Sequence, residues 1–424
     1  MYLQYHVLTG YGPSLLNRDA TGEAKEITIG GVPRTRVSSQ ALKYAWRNNG
    51  GGLNGIDAKR SIRSRHTYRR EIADKLAAQG YPRPLADAIT YVIRSIVGSG
   101  QAPPSTSKDL KDILNQKSED DLLMTGQVVV LGEGEVDYLR SVAAEHLDSI
   151  VGELSDIDWS DPTKDDIKKA RSLLVGIADL DLRKNMHAIK LGAGLSGALF
   201  GRMRTSNNLQ ASDSAVQVSH AFTVHRREGA RDYFTAIDEI LRDQSEEISF
   251  VAHIGESELT GGLFYMYVGV DVAQLVSNIE GVAKEEWEHV ESDLAAEVLQ
   301  HVPRMIATIS PGAKKGSTAP FSYARFVLAE RSASQPRSLA DAFLKPVPRN
   351  TEKGVVVEAI SRVSEHVEGM GRMYGGGWER RVSALTLPDG TAEKLGVSGP
   401  TSIDELGAWS AETVRAGAAA GGHS

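Results

Sequence analysis

Gln40, Lys43 and Arg47 recur at three- and four-residue intervals, so on a helix they share one face. Leu42, Ala45 and Trp46 fall on the other side and can pack inward. Ser38 or Ser39 suits an N-cap, and Gly50, Gly51 and Gly52 stop the run. The first turn of such a helix has unpaired amides. With two hydroxyls and a basic stripe beside them it makes an anion site. The repeated charge of a nucleic-acid backbone suits that site better than one carboxylate. The same spacing equally describes an ordinary capped amphipathic helix with a solvated face, and spacing alone does not separate the two.

The charge distribution bears on that choice. Arg34 to Arg70 holds ten basic residues and one acid, Asp57, a net +9. That leaves −16 for the remainder of a chain whose formal total is −7. A compact basic patch on an acidic body focuses a polyanion onto one surface. For a charge run taken alone, a solvated face remains the simpler reading.

Other motifs carry less. Gly192, Gly194 and Gly197 spell G-x-G-x-x-G, but 184–190 lacks the strand pattern that a dinucleotide site needs, so the segment reads as a flexible loop. Lys314 and Lys315 sit in a glycine-bearing loop whose order is wrong for a P-loop. Arg202, Met203 and Arg204 place a flexible apolar side chain between two guanidiniums, where it could wedge beside a base; a core methionine between surface arginines is the commoner case. His6, His220, His225 and His253 show no metal-ligand spacing, and packing or RNA contact is expected of them. No G-x-S-x-G elbow occurs, and Asp213, Asp232 and Asp238 have no obvious partner. With no cysteine there is no thiol nucleophile and no cysteine-ligated metal. No metal or cofactor is expected.

The elements that must position these residues follow from pattern. A chain of 424 residues suggests roughly two to three domains. Leu3 to Thr9 alternates as a strand, and its sequence does not read as a signal. No apolar run reaches the ~20 residues of a membrane span. The helix after Ser38 follows, then a polar and mostly helical stretch from about 58 to 207, with helices expected over 86–96, 136–154 and 165–180. Strands are predicted over 215–225 and 262–272, with one short helix at 232–242 between them. Trp287, Val290, Leu294, Val298 and Val302 predict a helix that Pro303 ends, and 321–329 alternates as a last strand. Ser402 and Glu405 form a capping-box pattern before a short C-terminal helix, with a frayed tail from Ala416. Without the insertions the order is β-α-β-β-α-β, an α+β, ferredoxin-like or RRM-like arrangement that commonly offers its sheet to single-stranded RNA.

Several segments, in order, resemble one family. They are 5–8, 16–19 (Leu-Asn-Arg-Asp), 34–47 with its Val-Ser-Ser-Gln core, 201–203, 219–221, 233–238, 262–265 and 311–314. Each is modest alone; the ordered set is similar to the CasC backbone subunit of the type I-E CRISPR Cascade, also called Cse-four or Cas-seven. The resemblance is weakest over about 59–185.

The resemblance implies a modified RRM-like palm (1–58 and 216–400), a helical fingers insertion (59–215), a thumb hairpin (about 226–261), and a C-terminal helix and tail (401–424). It implies a cytoplasmic, non-catalytic protein that stacks head to tail with copies of itself along CRISPR RNA. Its partners would be target DNA, through guide pairing, and the other Cascade subunits: Cas-five, Cas-six, and the large and small subunits. Carried over, Arg18, Ser38, Gln40, Lys43 and Arg47 match guide-phosphate positions, with Arg34, Arg36 and Ser39 in the same segment. Arg202 and Met203 match an arginine and a base-wedging methionine; Tyr233, Phe234 and Thr235 match the thumb base; Ile254, after His253, matches an apolar thumb position; Lys314 matches a loop lysine. Pro33 and Tyr44 depart from the family's basic residues. The competing readings are an RNA-cleaving backbone subunit of a type III-like effector, a nucleotide-binding metabolic enzyme that uses the Gly192 loop, and a general RNA chaperone.

Overall fold

The computed structural model describes residues 1–421 except 118–120, 180–181, 188, 203–211, 238–250 and 313–314. The fold is α+β and divides into two compact units. A sheet unit comprises 1–56, 216–272 and 293–424, and a helical unit comprises 57–215 and 273–292.

In chain order the strands are β1 (Tyr2–Ser14), β2 (Glu26–Ile29), β3 (Val32–Val37), β4 (Ser61–Ser64), β5 (Val129–Gly132), β6 (Val216–Val218), β7 (Ala221–Thr223), β8 (Gly229–Ile237), β9 (Val251–Asp271), β10 (Ala324–Ser332) and β11 (Glu379–Ala384). All but β4 and β5 form one antiparallel sheet in the sheet unit. Its order is β11-β10-β1-β9-β7-β3-β2, with β6 and β8 also pairing β9. β1, the helix Ser39–Asn48, β7, β9, the helix Asp293–Thr308 and β10 run in chain order as β-α-β-β-α-β.

The alternation of side chains across a strand gives the sheet two buried faces. Leu8, Tyr265, Phe326 and Leu328 join Phe343, Ile360 and Val363 on one face, under the helix Val355–Tyr374. On the other, Val37, Phe264 and Met266 meet Leu42, Trp46 and Ile306. A buried polar cluster belongs to the first face. Glu330 accepts from Gln4, Arg337 and Arg380 and bonds His6 at 3.2 Å. Burial alone would raise the Glu330 pKa, but the His6 hydrogen bond and the charges of His6 and Arg337 hold it down at about 2. Burial pushes His6 below its ordinary value, against the upward pull of Glu330.

The helical unit packs the helices Arg83–Ser99, Glu133–Val151 and Lys164–Leu174 around Ile72, Leu76, Ile89, Leu139 and Leu174. The two-stranded ribbon of β4 and β5 belongs to the same unit.

Several expectations need correction. Of the helix expected over 232–242, residues 232–237 are strand, in β8, and 238–242 lie outside the described residues: Tyr233, Thr235 and Ile237 are good strand formers, and β9 supplies a partner along the whole of β8. The 215–225 strand is two short strands. Trp287 lies in a 3₁₀ segment, Lys284–His289, and the helix starts only at Asp293. Pro303 sits inside that helix, where buried Met305 and Ile306 favour its continuation to Thr308. β10 is not the last strand, because β11 pairs with it at the sheet edge. The C-terminal helix runs Ile403–Gly421, beyond the expected fraying point. The glycines at 192–197 lead into a helix, Gly194–Phe200, and are not a flexible loop.

Candidate nucleic-acid interface

The helix Ser39–Asn48 begins at Ser38, whose Oγ accepts from the Ala41 amide at 3.3 Å. The Asn17 side-chain oxygen accepts from the Ser38 amide at 2.9 Å, which ties the cap to the loop that carries Arg18. Leu42, Ala45 and Trp46 are buried, so their packing fixes which face looks outward. Gln40 and Tyr44 are exposed, and Ser39, Lys43 and Arg47 are half-buried. No acid stands in the first turn, so nothing on the helix opposes an anion there. Arg18 is exposed, and its backbone forms an isolated β-bridge with Ala24.

A hollow of about 250 Å³ adjoins this helix, lined by Asn17, Arg18, Tyr44, Asn49, Gly312 and Lys315 among others, with no carboxylate among its walls. Lys315 Nζ donates to Asn49 Oδ1 at 3.2 Å, so the loop lysine is anchored to the end of the helix. Tyr44 is 63% exposed, an aromatic face beside cations, which suits base stacking. Sequence reasoning singles out neither Tyr44 nor Lys315 as a site residue. The signals are there: Tyr44 lies one residue from the basic stripe, and Lys315 shares the glycine loop of Lys314.

Arg36 is half-buried, and its Nη1 donates to His220 Nδ1 at 2.8 Å. Partial burial, then the charges of Arg36 and Lys25, lower the His220 pKa, which matches a neutral ring accepting that bond. The ring thereby fixes the Arg36 guanidinium on the strand that leads into the helix cap.

Arg34 departs from the expected phosphate role. It is 0% exposed, and its guanidinium donates to the Thr223 and Phe343 carbonyls at 2.9 and 3.0 Å. Arg34 and Arg36 stand two positions apart on β3 and so share a side of the strand, with Thr35 between them. Depth separates their roles, and the fully buried Arg34 braces the interior.

Arg202 is the second correction. It is 5% exposed, and its Nη1 lies 2.6 and 2.8 Å from the two Glu135 carboxylate oxygens. Glu135 also accepts from the Gly132 amide at 3.1 Å, closing a helix N-terminus of the helical unit. That guanidinium is committed to an internal ion pair and presents no open face to a phosphate.

The remaining site residues divide by what is described. Tyr233 is exposed on β8. Thr235 pairs in register with Ile254, Phe234 with Gly255, and Ala236 with His253, which places these residues on the β8–β9 hairpin; the side chains of Phe234, Thr235, His253 and Ile254 lie outside the described residues. Met203 and Lys314 lie outside them altogether. At the base of the hairpin, Gly262 has φ +142°, and a Cβ there would meet the His225 ring at 2.1 Å. His225 Nε2 accepts from the Leu263 amide at 3.2 Å, so this position within β9 requires glycine. Among the described residues no three His, Asp or Glu side chains gather as a metal site, and no helix is long and apolar enough to cross a membrane.

Fold and site together define an α+β protein that presents a capped basic helix beside an antiparallel sheet. The chain belongs to the CT1975-like protein family, whose model matches residues 3–409. No curated protein matches it. Chains of several solved structures share its fold, among them two described here. One, titled "CRISPR RNA-guided surveillance complex, pre-nicking", has a chain 24% identical with a TM-score of 0.74, covering 98% of this chain and 100% of that one. The other, titled "CRISPR RNA-guided surveillance complex", has a chain 22% identical with a TM-score of 0.64, covering 97% of this chain and 100% of that one.

Proposed function

We propose that this protein is a non-catalytic backbone subunit of a type I-E CRISPR effector, and that copies of it line up along CRISPR RNA and leave the guide's bases free to pair with target DNA. The observation that carries this reading is the capped helix Ser39–Asn48, which has Arg18, Lys43, Arg47 and Lys315 around it and no acid in its first turn. Family membership and the fold shared with chains of CRISPR surveillance complexes support it. In this reading the sheet unit is the palm, 59–215 the fingers and 226–261 the thumb, and Cas-five, Cas-six and the large and small subunits complete the assembly.

Phosphate contacts carry no base information, so guide binding is independent of guide sequence and pairing alone selects the target. If each copy neutralises about four phosphates, binding falls with salt with a slope of roughly −3 per copy. The test is co-expression with the operon neighbours and a CRISPR RNA. A complex that retains the guide supports the reading, and RNA-free protein contradicts it.

A further inference from the structure

Tyr44 follows Lys43 directly and lies roughly 60° around the helix from Arg47, so it borders the basic stripe without belonging to it. Its ring is 63% exposed, and no described ring or cation stacks on it. The hollow of about 250 Å³ opens beside it. Ala41, Ala45 and Gly312, all small, line the same hollow and leave room next to the ring. The volume falls below the ~300–1,000 Å³ of pockets for drug-sized ligands, which suits one planar base better than a whole cofactor.

The charges around the hollow restrict its chemistry. Arg18 is exposed, lines the hollow and forms no ion pair with a described residue. Lys315 lines it too, and its partner there, Asn49, is neutral, so the ammonium charge is not compensated. No carboxylate stands in the walls. Cations that hold a backbone and an open ring that takes a base are the parts from which single-strand sites are built. An apolar side chain of a protein partner would meet Arg18 and Lys315 at a desolvation cost. A lone carboxylate would use the cations and leave the ring idle. Tyr44 also stands where the resembled family carries a basic residue. That exchange removes a charge and supplies a ring, so it trades a phosphate contact for a base contact.

We propose that Tyr44 is a stacking platform for one base of the bound guide in each copy, with the base seated in the hollow and its phosphate on Arg18 and Lys315. This rests on the guide-binding reading and adds to it a base contact that phosphate binding alone does not supply. Every base has a face to stack, so the contact leaves the choice of guide sequence free.

The test uses 2-aminopurine, a fluorescent base that stacking quenches, placed at successive positions of the guide in the assembled complex. Quenching should recur along the guide, be relieved by Tyr44→Ala and be kept by Tyr44→Phe. With the full chain alone, affinity for a short adenosine oligonucleotide carrying one 2-aminopurine should fall roughly tenfold with Tyr44→Ala and stay within about twofold with Tyr44→Phe. Quenching and affinity indifferent to Tyr44→Ala in folded protein overturn the proposal. An equal loss with Tyr44→Phe also overturns it, because the contact then belongs to the hydroxyl. A guide retained by the complex while Tyr44→Ala changes nothing strikes this proposal alone. A complex that holds no guide strikes the proposed function, and the oligonucleotide measurement still reads Tyr44 by itself.

Discussion

Arg202 in the helical unit and the basic helix of the sheet unit put cationic side chains to different uses. Arg202 is buried against Glu135 at 2.6 Å, and its charge is neutralised inside the protein. The helix Ser39–Asn48 buries Leu42, Ala45 and Trp46 and leaves its polar residues on a face without a first-turn acid. The difference shows that a motif's arginine cannot be assigned to a ligand until its burial and partners are known. Arg34 repeats the lesson within the basic segment itself.

The contrast should break most sharply at the buried pair. Arg202→Ala should cost about 3–5 kcal/mol in denaturant unfolding, because it strands a buried carboxylate. An unchanged midpoint with weakened guide binding would return Arg202 to the interface. Next in size is the Glu330 cluster. Its folded pKa of about 2 lies below the ordinary 4.5, so its stabilisation is present above pH 4.5 and is lost as pH falls toward 2. The loss amounts to about 3 kcal/mol. Glu330→Gln should flatten that acid limb in unfolding curves measured between those pH values, and an identical limb would place the effect elsewhere.

Lys43→Ala combined with Arg47→Ala should leave the unfolding midpoint nearly unchanged and weaken guide binding equally for every guide sequence. The salt slope should shrink by about 1.4. A loss confined to some sequences would contradict phosphate contact. The smallest effect belongs to the cap: Ser38→Ala should cost about 1 kcal/mol of stability, read in thermal melts, and a neutral result would deny the cap any part in holding the helix.

Much of this is legible in the sequence where pattern and packing agree. The helix after Ser38 is, because its apolar spacing and its cap point the same way. The burial of Arg34 is not, since alternation in a short strand does not say how deep a position lies. β11 escapes notice because Glu379, Arg380 and Arg381 look like a solvated run, whereas Arg380 in fact reaches the buried Glu330 at 2.6 Å. Residues 232–237 read as part of a helix because their strand partner, β9, lies beyond the local window.

The most direct test of the backbone role is nuclease footprinting of the RNA bound to the purified complex. A backbone subunit should yield a defined guide with protection at regular intervals, blurred when Lys43 and Arg47 are replaced. Random RNA without periodicity, or a footprint indifferent to those substitutions, would contradict it.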